Sequence, residues 1–442
     1  MKILLIGMGM THYDNQVFNK LHEEPHIEVF NLIKSGGFGG MEKGSKAVFQ
    51  TKKGVKYNIV ELDEIIKERF SDYSYISYIN LDSWLKENKP DIIVVSELYS
   101  HMFLRDQEVI KTVKELGIKI IRKDIPFRLD SYEESKRKIL AGELDNEYVP
   151  FFDQFFTSLC NRLRLKFIPS FVSNLLHTIG ISSVYKKNIG RKVLLKRLEA
   201  KKQFMNLADA HVNYTEKAFE LFKTYGVPKE KIFIIYNSPD TDILFDIRKK
   251  IEKEDSILPP SKHRLIHVGR LVEWKRVDML IESVNTLKPE FPDIELLIIG
   301  YGPLEDTLKS LTKKLHLEDS VKFIGGVYEP EILGKYLLSS TIYILAGMGG
   351  ISINDAMIFG KPVICSVCDG TEKKLVKEGV NGMYFTDGSV LSLTEKIKYM
   401  LKNQELTKKM GENSTNIIKN EINIHTVING YKKAFDFVLR TS

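Results

Sequence analysis

The chain has 442 residues, 43% of them apolar and 28% charged, an ordinary globular composition with room for two or three domains. It carries a net charge of +7, and its three cysteines point to a reducing compartment and away from a disulfide scaffold. The apolar run in Met1-Lys-Ile-Leu-Leu-Ile-Gly7 is too short for a secretory signal and reads as a first buried strand.

That strand empties into Gly7-Met-Gly9-Met-Thr-His12. A dinucleotide fingerprint wants its third glycine at position 12, so an NAD site is not expected. His12 either contacts substrate at a cleft or is a loop residue without a role. Strands follow over 29–32, 92–95 and 118–121, with a helix over 84–91, a doubly wound α/β pattern. The glycine-rich 36–40 stretch is a loop that could fold over substrate.

Residues 151–203 change character. They hold eleven Lys and Arg against two acids, a net +9, so the rest of the chain sums to about −2. Phe151, Phe152, Phe155, Phe156, Phe167 and Phe171 are interleaved with the cations. A basic, aromatic, amphipathic segment is what lies on an anionic membrane surface, and it is too broken for a spanning helix. Packing of its apolar face on the first domain is the competing reading. Nucleic acid is not an expected partner, because no motif for it is present.

A helix over 216–225 closes the first unit at 226–228, and a strand follows over 231–236. Asp240-Thr-Asp242 has the spacing of a metal motif but sits beside the interdomain connection and is read as coincidence. Residues 248–260, charged and proline-ended, read as an exposed linker and hinge. Cys365 and Cys368 have C-x-x-C spacing without a second pair, and no metal is expected. Beyond them come a helix over 370–379, a strand over 382–385 and a final helix over 424–440.

The densest chemistry lies in 263–366. Three strands, 265–268, 294–299 and 341–345, each run into a glycine-bearing loop, and a helix over 277–287 follows the first. In an open parallel sheet such loops open on one crevice. Gly347, Gly349 and Gly350 let backbone approach a ligand, and the helix beginning at Ser352 offers amides and the positive end of its dipole. Arg270 can fork two phosphate oxygens and Lys275 adds a second positive charge. The set suits a diphosphate. Ser352-Ile-Asn-Asp355 also has the spacing of a capping box, with Ser352 as N-cap.

Together V-G-R-L-x-x-x-K-x-V-D, I-I-G-x-G-P-L, V-K-F-I-G-G-V and G-x-G-G-I-S-I-x-D-A-M-x-x-G-K-P-V-I resemble glycosyltransferase family 4, nucleotide-sugar enzymes of the GT-B fold, over about 208–385. The resemblance implies two doubly wound Rossmann-like domains: an acceptor domain at 1–228, a donor domain at 229–421 and a tail at 422–442 crossing back. It implies a metal-independent, retaining hexosyltransferase without a cofactor, using a UDP- or GDP-linked sugar as donor. The acceptor would be lipid-linked or a polysaccharide, and the enzyme cytoplasmic, on the inner face of the plasma membrane. Gly269, Arg270, Lys275, Gly300, Gly302, Gly325, Gly349, Gly350, Ile351, Ser352 and Asp355 would bind the donor. Arg270 and Lys275 would hold its diphosphate and Asp355 its ribose, while Glu372 matches a family turn. Asp124 falls where an acceptor contact is expected, although beside Arg122 and Lys123 it also reads as a surface ion pair. The first of the family's paired glutamates falls on Gly347 and is absent. A non-catalytic nucleotide-sugar binder, acting as an assembly partner, is the alternative.

Overall fold

The computed structural model describes residues 1–36, 52–67, 75–124, 129–143, 181–367 and 370–440, excepting the side chains of His12, Asp124 and residues 181–190. The 36–40 loop beyond Gly36, residues 151–180 of the basic segment and Cys368 therefore lie outside the described residues.

Runs such as Lys-Ile-Leu-Leu-Ile and Ile-Ile-Val-Val-Ser are buried at nearly every position, as strands covered on both faces must be. In chain order these are β1 (Lys2–Ile6), β2 (Glu28–Lys34), β3 (Asn58–Leu62), β4 (Glu64–Lys67), β5 (Tyr75–Tyr78), β6 (Ile92–Ser96), β7 (Lys119–Asp124), β8 (Ala210–Asn213) and β9 (Ile232–Ile234). Strands β4 and β5 form an antiparallel pair of their own. The others make one parallel sheet in the order β3-β2-β1-β6-β7-β8-β9.

A second parallel sheet follows, from β10 (Arg264–Val268), β11 (Glu295–Ile299), β12 (Val321–Gly325), β13 (Ile342–Leu345), β14 (Val363–Cys365) and β15 (Gly382–Tyr384). Its order is β12-β11-β10-β13-β14-β15. In both sheets the strand order reverses beside the first strand, between β1 and β6 and between β10 and β13. A ligand crevice forms at such a point. Each sheet has an apolar layer on both faces. Leu265, Leu280 and Leu296 lie in one layer of the second sheet, and Ile266, Tyr343 and Ile353 in the other.

The chain passes between the two bodies twice. After β9 it runs through 235–240 into the helix Thr241–Ile251, which packs on the helices Pro330–Leu338 and Ser352–Ile358 of the second body. Asp240 caps this helix by accepting from the amides of Asp242 and Ile243. Lys20 of the first body lies 3.6 Å from Asp240 and 3.3 Å from Asp242, and His425 lies 3.0 Å from Asp242. Asp240-Thr-Asp242 is thus a cap and a clamp, and among the described residues no cluster suited to a metal is present. The return crossing leads into the helix Ile424–Arg440, which packs on β8, β9 and the helix His12–Glu23. The Ile424 amide donates to Thr241 Oγ1 at 3.2 Å, so the two crossings touch.

Two expectations are corrected. Residues 248–260 do not begin a free linker. Arg248 Nη1 donates to Ile358 O at 2.6 Å and to Thr415 Oγ1 at 2.9 Å, while Lys250 pairs with Glu331 and Lys335 with Glu254, both at 2.7 Å. These charges fasten the segment to the second body, and the first crossing is at 235–240 instead. The helix expected over 370–379 is only Glu372–Leu375, because the backbone turns extended at Val376 (φ −106°, ψ 120°), while the buried Glu372 carboxylate accepts from the Gly370 amide at its start at 3.0 Å. The helix Ile181–Leu207, which runs from the basic segment to just beyond it, buries Leu198 inside the segment and Phe204 and Met205 past its end. Lys201 pairs with Glu97 at 2.7 Å and Lys202 Nζ lies 4.4 Å from the centre of the Tyr132 ring. These two cations turn inward rather than toward an external surface.

Candidate functional site

The loops at the carboxyl ends of β10, β11 and β13 meet through their backbones. Gly269 N donates to Ile299 O at 2.9 Å and Leu271 N to Tyr301 O at 3.0 Å. Gly300 has φ +138°, and a Cβ there would stand 1.8 Å from Gly269 O. A Cβ on Gly302 would stand 2.3 Å from Leu271 O. Only glycine allows these approaches. Gly325 continues the contact from β12, its carbonyl accepting from Gly300 N at 2.8 Å.

The third loop closes on the first. Lys275 is nearly buried, and its Nζ donates to Met348 O and Gly349 O, both at 2.7 Å. Met348 N donates to Trp274 O at 2.9 Å. Gly350 leaves the Lys275 ammonium within 3.3 Å of where its own Cβ would be. Arg270, half-buried, lies with its guanidinium carbon 5.7 Å from the centre of the Trp274 ring. These contacts bring the loops that carry Gly269, Arg270, Lys275, Gly300, Gly302, Gly325, Gly349 and Gly350 together at one end of the sheet.

Gly347 is a packing glycine. A Cβ there would stand 2.0 Å from Trp274 O, so this backbone has no room for a glutamate at that position. The absent acid is therefore not one missing side chain in an otherwise open place.

The helix Ser352–Ile358 begins differently from the capping box expected. Ile351 holds the N-cap position without a side-chain cap, and the Ser352 hydroxyl is instead 2.8 Å from the Tyr343 hydroxyl. The amides of Asn354 and Asp355 bond Ile351 O at 2.9 and 3.3 Å. Asp355 is half-buried, and among the described residues no cation pairs with it. Burial pushes its carboxyl up to about 7.

His267 was not singled out by the sequence, where a histidine inside an apolar strand reads as core. It is fully buried beneath the same loop. Its Nδ1 must carry the proton, because that atom lies 3.0 Å from Ile344 O. Burial holds the ring neutral, lowering its pKa to about 4. Nε2 is then an acceptor without a partner among the described residues, 3.2 Å from the Cβ position of Gly269.

On the first body, Asp124 ends β7 opposite Asn213, and its side chain lies outside the described residues. The ion pair expected of Asp124 therefore lies outside the described residues as well, and both neighbouring cations are interior. Arg122 is 1% exposed, 3.5 Å from Glu97 and 5.7 Å from the Phe222 ring centre. Lys123 lies 3.7 Å from Asp14, and its Nζ is 5.3 Å from the Phe18 ring centre.

Two parallel, doubly wound sheets with a final helix returning to the first define the GT-B fold. An Anabaena protein, Alr3699/HepE, solved in complex with UDP, superposes with TM-score 0.61 at 15% identity over 98% of this chain and 99% of that one. A glycosyltransferase from Rickettsia africae superposes with TM-score 0.63 at 15% identity over 100% and 99%. At the level of sequence, residues 248–417 match the family described as Glycosyl transferases group 1. An uncharacterized glycosyltransferase of Methanocaldococcus jannaschii is 29% identical over 264 residues, 58% of this chain and 62% of its own length. N-acetyl-alpha-D-glucosaminyl L-malate synthase of Bacillus anthracis is 26% identical over 216 residues, 48% and 55% of the two lengths. The matches thus span little more than half of these relatives.

Proposed function

We propose that the protein is a retaining, metal-independent glycosyltransferase that moves a hexosyl group from a nucleoside-diphosphate donor to a lipid-linked or polysaccharide acceptor. The observation that carries this reading is the joining of Arg270 and Lys275 with three glycine-built loops in one crevice. As the sugar leaves, negative charge builds on the departing diphosphate. Two positioned cations and the amides of Gly349 to Ser352 are suited to stabilise it. Asp355 would accept from the ribose hydroxyls. The diphosphate itself would help take the proton of the incoming hydroxyl, and Asp124 would contact the acceptor. The similarity to group 1 glycosyltransferases and to a fold solved with UDP supports UDP as the first nucleotide to try, with GDP next.

Calorimetric titration of UDP, GDP, ADP and CMP into the wild type and into Arg270→Ala/Lys275→Ala tests the reading. One nucleotide is expected to bind, with affinity falling roughly a hundredfold or more in the double variant, as removal of two charge-assisted hydrogen-bonding groups predicts. Failure of all four to bind the wild type would overturn it.

A further inference from the structure

Tryptophan is normally a buried residue, so an exposed one beside a binding crevice calls for a reason. Trp274 is 38% exposed although it stands between Val272 and Lys275, both buried, on the loop that carries Arg270 and Lys275. Its carbonyl ties it to the third loop through Met348 N at 2.9 Å, and Met348 is itself 39% exposed. Two large apolar side chains are thereby held, unburied, at the lip of a crevice whose interior is cationic and built of glycine.

We propose that Trp274, flanked by Met348, is a platform on which the apolar face of a pyranose ring stacks during transfer. This rests on the reading of the crevice as a nucleotide-sugar site. Binding sites pair a few placed polar groups with aromatic surface, and an indole offers a broad apolar face with few torsions to immobilise. The backbone fixes its position: Trp274 O is bonded to Met348, and no side chain fits at 347 to push the two loops apart. The guanidinium of Arg270, 5.7 Å from the ring centre, places the platform one side chain from the group that would hold the diphosphate. A ring attached to that diphosphate, or the sugar that attacks it, comes within reach. With no carboxylate accommodated at 347, recognition of the sugar here is by stacking.

Trp84 is the other tryptophan, half-buried against Phe30 in the first body, so Trp84→Phe leaves Trp274 as the sole indole reporter. Its emission is followed on titration with UDP, GDP, UDP-glucose, UDP-N-acetylglucosamine and GDP-mannose, and with maltotriose added to the nucleotide-saturated protein. A spectral change with a nucleotide sugar but not with its free nucleotide assigns the stacked ring to the donor. A change only when maltotriose joins the nucleotide assigns it to the acceptor. Trp274→Ala should weaken affinity for the sugar-bearing ligand about tenfold more than it weakens affinity for the free nucleotide, with Trp274→Phe restoring most of that difference. If nucleotide binds by calorimetry while no sugar moves the emission and Trp274→Ala binds every ligand normally, the platform is wrong and the donor site stands. If no nucleotide binds at all, both fall together.

Discussion

Asp355 is a carboxylate whose charge is set by where it sits. Burial raises it to about 7, against roughly 4 for the free side chain, so the folded chain holds a proton there that the unfolded chain has released. Between those values this group makes the fold less stable as pH rises. Asp355→Asn removes the effect: its melting temperature should gain on that of the wild type from pH 5 to pH 8, and a constant difference would show the carboxyl is not desolvated. Hydroxyl donors from a ribose would favour the ionised form, so nucleotide affinity should rise from pH 6 to pH 8 in the wild type and stay flat in Asp355→Asn. Gly347 supplies a second test at this scale. Gly347→Glu should not improve activity; with a Cβ 2.0 Å from Trp274 O it should separate the loops, lower the melting temperature and abolish nucleotide binding. Tighter donor binding in that variant would mean the loop moves freely.

Among elements, what could be read in advance depended on how local the cause was. The final helix was legible because its apolar residues at 427, 428, 431, 435 and 438 recur at helical spacing, and all five are buried. The glycine loops were legible because close backbone approach demands glycine whatever lies opposite. The segment after 248 was not, because Arg248, Lys250 and Glu254 look solvated until residues 358, 415, 331 and 335 are brought to them. His267 stayed hidden for the same reason, since its meaning depends on Ile344 across the sheet. Asp240 illustrates how a local rule can still outdo a motif, as an acid before a helix is a good N-cap. Asp240→Ala should cost about 1–2 kcal/mol by denaturant unfolding, because the cap disappears and Lys20 keeps only Asp242 as an acidic neighbour on this helix. An unchanged midpoint would mean the connection at 235–240 bears no load. Gly430 tests the returning helix: a Cβ there already meets Ile235 Cα at 3.0 Å, so Gly430→Leu should push the helix off β9 and lower the melting temperature by several degrees.

For the whole molecule, the crossing at 235–240 is tied to the helix that carries Asp355, since Asn354 Nδ2 donates to Asn237 O at 3.2 Å. Asn354→Ala frees the crossing from this helix and, on the proposed function, should loosen nucleotide binding while leaving Arg270 and Lys275 in place. Association with a bilayer through 151–203 belongs to this scale too. Flotation with anionic liposomes at low salt should carry the protein up, and substitution of the cations other than Lys201 and Lys202 should leave it behind; full retention in the soluble fraction would end the membrane proposal. No helix among the described residues is long and apolar enough to cross a membrane, so any such attachment through them would be peripheral.

The return of Ile424–Arg440 to the first sheet also orders events on the ribosome. Ile3, Leu5, Val29 and Ile92 belong to the same apolar layer as Val427, Tyr431 and Phe435, yet roughly four hundred residues of synthesis separate its two ends. Burial of Val427, Ile428, Tyr431, Phe435 and Val438, at ~1.5–3 kcal/mol each, amounts to on the order of 10 kcal/mol. Until they emerge, the helix His12–Glu23 covers only part of this face of the earliest-made sheet, while the second body already holds what its own layers need. The first body therefore completes its core only after the second has been made, although amino-terminal units usually fold first during synthesis.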